Sequence, residues 1–206
     1  EGFLGLIFRR EPTVKLPERV SGVAGALRVF AEDVDLMGTS LYSYSKNVVS
    51  EVITVGRAGT LVDWEGEGQP RAYVVRYAAE DILNWRVERI NGRNVVTMVV
   101  LREQVDAQHP KDEFETRTEE QIRVLKLTNG SSNTGGEKPG RFYEVEVWRQ
   151  TEKKVRRAKT EWELEETRIP LRLGKPLTLI PFVFHGPRHS LPQVEKLPLA
   201  DIIFVN

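Results

Sequence analysis

Two residues, Asn91-Gly92, restrict the folds open to this chain more than any others. They separate two runs rich in β-branched and apolar side chains, residues 82–90 and 93–101. Both central positions of a type I′ turn need positive φ, which Asn and Gly tolerate best. The pair therefore predicts a two-residue hairpin, and a hairpin commits its arms to antiparallel pairing. Across residues 79–103 the pattern reads as a strand exit, one short helical turn and two hairpin strands. Residues 95–101 are apolar on both faces, with Val96, Met98 and Val100 on one and Val95, Val99 and Leu101 on the other. A run of that kind predicts a central strand.

Helical spacing dominates before this point and β alternation after it. Val20, Val23, Ala24, Leu27 and Phe30 predict a helix over residues 18–31, weakened by Gly22 and Gly25. Leu41, Tyr44, Val48, Val52 and Val55 predict a stronger one over 40–55. Thr39 or Ser40 can cap its start, and Gly56 is free to end it in a left-handed conformation. Upstream, Pro12 and Pro17 make residues 1–17 an extended arm.

Strands are expected at 60–64, 71–78, 121–127, 141–149 and about 159–169, with polar turns between. In the fourth, Tyr143, Val145 and Val147 share one face, while Glu144 and Glu146 share the other. Residues 129–140 form a Gly/Ser/Asn-rich loop. A late strand is expected at 179–184, near an edge or bulge because of Pro181. Helices first, then a run of strands, define the class as α+β, with N-terminal helices and a mainly antiparallel β-rich region.

Composition narrows the functions. Thirty basic residues balance thirty acidic ones, so any nucleic-acid contact has to be local. The absence of cysteine excludes disulfides, thiolate catalysis and cysteine–zinc sites. The longest apolar runs, 95–101 and 179–184, are too short to span a bilayer as helices. No signal peptide opens the chain, and its ends read as those of an excerpt from a longer protein.

The candidate sites are few. The loop at 130–136 superficially suggests a phosphate loop, but Gly136 and Glu137 stand where lysine and Ser/Thr are needed. His185 and His189 are four apart, with Glu195 or Asp201 as a third metal ligand, yet Gly186-Pro187 between them opposes a helix. His109 reads as solvated. Acidic neighbours (Asp33 and Asp35, Glu80 and Asp81, Glu119 and Glu120, Glu163, Glu165 and Glu166) lack the cleft geometry of an acid/base pair. The densest cations, Lys153, Lys154, Arg156 and Arg157, are the candidate phosphate-backbone contact, against a plain solvated strand connection. Trp64, Trp85, Trp148 and Trp162 read as core or interface anchors rather than base-stacking platforms. No Gly-x-Ser-x-Gly elbow is present. The residues themselves call for no cofactor or metal and argue for a non-catalytic α+β domain.

Five stretches in order carry a resemblance: GFLGLIFRREPTVKLP, GTSLYSYSKNVVSEVITVGRAGTLVDW, AAEDILNWRVERINGR, GKPLTLIPFVFHG and KLPLADI. Together they resemble a portal-like group within the portal (head-to-tail connector) proteins of tailed phages. The resemblance implies a wing-like α+β domain over 18–198, with residues 199–206 opening a stem helix that leads to stem, clip and crown. It also implies a structural subunit of a dodecameric ring at a capsid vertex, assembled in the host cytoplasm and carried in the virion. The implied partners are capsid protein, terminase, tail adaptor and the double-stranded DNA in the channel, with no membrane. Another virion assembly or adaptor module, or a metal-dependent hydrolase using His185 and His189, remains the alternative.

Overall fold

The structure, a computed structural model, describes residues 2–15, 23–64, 71–109, 112–130, 140–153 and 159–203. In chain order its elements are α1 (Gly2–Ile7), α2 (Val23–Glu32), α3 (Leu41–Val55), β1 (Ala58–Asp63) and β2 (Tyr73–Ala78). A 3₁₀ turn at Ala79–Asp81 leads to β3 (Ile82–Ile90), β4 (Arg93–His109), β5 (Asp112–Asn129), β6 (Arg141–Lys153) and β7 (Lys159–Arg168). The last elements are β8 (Leu171–Arg172), β9 (Lys175–Pro176), β10 (Phe182–His185) and α4 (Ala200–Ile203). All strand pairs are antiparallel, so the class is α+β as expected. No described helix is long and apolar enough to cross a membrane.

The chain forms two compact units, one of Glu1–Ala79 with Pro181–Asn206 and one of Glu80–Ile180. The single region expected over 18–198 runs through both.

The first unit holds a three-stranded sheet in the order β10-β1-β2. Its helix α3 starts and stops for local reasons. The Ser40 hydroxyl accepts from the Ser43 amide at 3.2 Å, and Gly56 ends the helix at φ 85°. A side chain at Gly56 would also meet Leu197 Cδ2 at 2.9 Å. One face of the sheet carries Leu61, Tyr77, Phe182 and Phe184, all buried, with the two phenylalanine rings edge to face at 4.9 Å. The other face carries Ala58, Thr60 and Arg76, and α3 reaches it through Tyr44 and Glu51. The late strand begins at Phe182, later than residue 179, and β10 is an edge strand. Pro181 precedes it, and its carbonyl accepts from the Val62 amide at 2.9 Å.

The second unit holds a five-stranded sheet in sequence order, β3-β4-β5-β6-β7. Asn91 and Gly92 have φ of 50° and 77°, and Ile90 pairs with Arg93 across them, as the type I′ reading requires. Strand β4 has neighbours on both sides. Its faces are unequal: Thr97, Val99 and Leu101 are buried, whereas Val96, Met98 and Val100 are half-buried. Register continues the buried face through Leu125 to Tyr143, Val145 and Val147.

Three expectations are corrected. The arm at 1–17 contains a helical turn and a half at Gly2–Ile7, because its apolar run adds up to local helix before Pro12 intervenes. The hairpin β8–β9, with Leu173 and Gly174 at positive φ, lies between the strands expected at about 159–169 and 179–184, where no element was expected. Of the tryptophans expected as core or interface anchors, Trp64 and Trp162 are 52% and 38% exposed, which removes the core alternative for these two and leaves the interface one.

Candidate functional site

The first unit contains a hydrogen-bonded chain of three polar side chains. Tyr44 Oη lies 2.7 Å from Thr60 Oγ1, and the same Oγ1 lies 2.7 Å from His185 Nε2. Three elements supply it: α3, β1 and β10. Thr60 is buried, while Tyr44 and His185 are half-buried. Burial, the main influence, pushes the Tyr44 phenol up, and Asp35 adds to that; the Thr60 hydrogen bond and Arg76 act against it. Burial also holds the His185 imidazole below its ordinary value. Arg57, at the start of this seam, is lowered by burial, sits 5.8 Å above the Phe184 ring and donates to the Pro192 carbonyl.

A hydroxyl against an imidazole is the pair that nucleophilic catalysis uses, but the rest of that machinery does not accompany it. Thr60 sits inside a sheet, only 8% exposed, with its oxygen committed to two neighbours. Among the described residues no carboxylate orients His185 from its other nitrogen. The chain of hydroxyls therefore serves to tie helix to sheet and edge strand to centre.

The two histidines do not converge. His189 Nε2 lies 3.2 Å from Glu195 Oε1, and the other oxygen of Glu195 accepts from the Arg188 amide. Gly186 N donates to the His189 carbonyl at 3.1 Å, so the segment is a tight turn, not a helix, as Gly186-Pro187 suggested. Asp201 pairs with Lys196 instead. Among the described residues no group of three His, Asp or Glu side chains could hold a metal.

The acidic neighbours are likewise divided among local tasks. Asp33 accepts from the Gly38 amide and from Arg71. Asp35 accepts from the Met37 and Thr39 amides; burial works against its charge, but these bonds outweigh it and hold the carboxyl below its ordinary value. Asp81 pairs with Arg102 at 3.1 Å. Glu165 pairs with Arg149 at 2.7 Å, and Glu166 is lowered chiefly by its hydrogen bond from Arg168. Lys153 closes β6 opposite Lys159, and its side chain, like all of Lys154, Arg156 and Arg157, lies outside the described residues. So do residues 131–139 of the expected loop, and so does the His109 side chain.

Sequence reasoning missed two networks because they depend on register. On one face of the second sheet, Gln121 donates to Glu103 at 2.6 Å, Arg123 pairs with Glu103 at 2.9 Å, and Arg149 reaches Gln121. On the other, Lys126 lies between Glu144 and Glu146, which raise its pKa against the opposing effect of burial. The alternation of Glu144 and Glu146 was the available signal. No protein-family model matches the chain, and no curated protein matches it.

Proposed function

We propose that the chain is the wing-like part of a portal subunit, a structural component of a ring through which phage DNA passes, with no catalytic centre of its own. The ordered motifs supply the family. One structural observation supports assembly as the role: an apolar file across the outer face of the five-stranded sheet. Register places Val100 beside Val124, then Ile122, Trp148 and Leu164 in one row, then Trp162 beyond Gln150. Val100, Val124, Ile122 and Trp148 are only half-buried, and Leu164 and Trp162 are 46% and 38% exposed. A file of large apolar side chains on a charge-balanced chain suits coverage by a neighbouring subunit. In a cyclic ring that neighbour is reached head to tail.

Electron microscopy of the intact subunit tests the reading. Closed rings are expected, and the pair Trp162→Asp and Leu164→Asp should abolish them while leaving the subunit folded. Rings that persist unchanged in this variant would remove the apolar file from the argument. Particles without any ring would remove the portal reading itself.

A further inference from the structure

The cations of the second unit are not distributed as its sequence suggests. Arg102, Arg123, Arg141, Arg149, Arg168 and Lys126 are each held by a carboxylate. Arg86, Arg89 and Arg93 are exposed, and none has an ion pair or side-chain hydrogen bond among the described residues. All three belong to the β3–β4 hairpin. Glu88, the acid between them, is paired with Arg141 at 2.8 Å, whose hydrogen bond is the main influence lowering its pKa, and Arg86 adds only a Coulombic pull on it without an ion pair. Arg172 and Lys175 on the β8–β9 hairpin are likewise exposed and without an ion pair among the described residues, but the β3–β4 hairpin gathers three such cations on a chain with no net charge.

The register gives this surface its form. Arg86 pairs with Met98 and Arg89 with Asn94, so both arginines lie on one face of the ribbon. Arg93 pairs with Ile90 and lies on the opposite face. Arg86 and Arg89 are three residues apart, about 10 Å along an extended strand. The hairpin end is therefore cationic on both sides. From Met98 onward β4 also pairs with β5, so the hairpin is two-stranded at its end, between the turn and the Arg86–Met98 pair. A two-stranded ribbon fits the major groove of a duplex, about 12 Å wide, and the groove has phosphates on both walls. A flat acidic surface would meet only one side. Guanidinium groups also match phosphate oxygens in a bidentate fork.

We infer that the β3–β4 hairpin is a contact site for the phosphate backbone of double-stranded nucleic acid, made by Arg86, Arg89 and Arg93. This places the contact away from the pair Lys153 and Lys159, where β6 and β7 end at the opposite end of the sheet. The site does not depend on the ring proposal, since a monomer can bind a duplex through it and a ring can form without it.

Fluorescence anisotropy of the chain with a short mixed-sequence DNA duplex, over a salt series, tests the site. Three phosphate contacts give a slope of log affinity on log salt of about −2.7, or roughly 40-fold weaker binding between about 50 and 200 mM salt. The variant Arg86→Gln/Arg89→Gln/Arg93→Gln should lose that binding, with its thermal midpoint unchanged because all three side chains are exposed. The Arg→Lys triple variant keeps the charge and should retain binding within a few-fold, which separates loss of contact from loss of fold. No binding of the wild-type chain at low salt overturns the inference. So does an unchanged slope in the Gln variant, or loss of binding in Lys154→Gln/Arg156→Gln/Arg157→Gln or Arg172→Gln/Lys175→Gln instead. Equal affinity for poly-glutamate at matched charge would assign the hairpin to an acidic protein and also overturn it.

Discussion

The two units build sheets by opposite routes. In the second, every strand pairs with the strand next to it in sequence, from β3 to β7. In the first, the central strand β1 pairs with β2 on one side and with β10 on the other, which arrives from more than a hundred residues away. The consequence is a difference in what holds each together. The meander is secured by register: a buried apolar face and cross-strand ladders of ion pairs follow once the first hairpin is set. The three-stranded sheet needs specific side chains to secure its distant strand, and the Tyr44–Thr60–His185 chain meets that need. Short-range order needs little beyond pattern, whereas closure over a long loop needs contacts that offset its entropy.

The comparison can be broken most forcefully at Val99, which is completely buried in the meander. Val99→Asp places an unpaired charge there and should destabilise the protein by about 3–5 kcal/mol. A denaturation midpoint near that of wild type would refute the assignment of that face as core. Next in size is Thr60→Val, which keeps the shape but leaves the Tyr44 hydroxyl and the His185 nitrogen without their shared partner. It should cost about 1–3 kcal/mol. Hydrogen exchange should show faster opening of β10 before that of β4, and equal acceleration in both would erase the contrast.

Gly56→Ala probes the local limit of the first unit. It forces an alanine to φ 85° and brings a methyl within 2.9 Å of Leu197 Cδ2. A loss of more than about 1 kcal/mol is expected in chemical denaturation. An unchanged midpoint would show that the helix end tolerates a left-handed alanine and that Leu197 yields.

The smallest effect concerns pH. The folded state prefers a neutral His185, whereas the unfolded chain takes up a proton near pH 6.5. The unfolded state then binds more protons, so stability falls as pH drops through 6.5 and levels off once the folded ring is protonated too. His185→Gln should flatten that part of the profile. A slope unaltered by the substitution would mean that other groups set the acid limb.

The contrast also explains what could be read in advance. Ser40, Gly56, Asn91 and Gly92 act on their own backbone neighbours, so capping and turn rules identify them from a few residues. The alternation of Tyr143, Val145 and Val147 identifies a face without identifying its partners. The link from Thr60 to His185 could not be read, because nothing near either residue names the other. The charge ladders were hidden for a related reason: Lys126 meets Glu144 and Glu146 only after a register has been chosen. Gly186-Pro187 was sufficient to exclude a helix that would set His185 and His189 on one face. The arginines of the β3–β4 hairpin were visible as residues, but their distinction arises from the carboxylate partners that Arg102, Arg123, Arg141, Arg149 and Arg168 acquire on folding.

Sedimentation velocity of the intact subunit at micromolar concentration tests the central claim of ring assembly most directly. The account predicts a single heavy species, a closed homo-oligomer of dodecameric mass. If the chain is the wing-like part proposed above, its 206 residues alone should remain monomeric or weakly associated, since interfaces below about 1,200 Å² are weak. A tight dimer of this chain built on a two-fold interface, with no larger species from the intact subunit, would contradict the head-to-tail geometry that a ring requires.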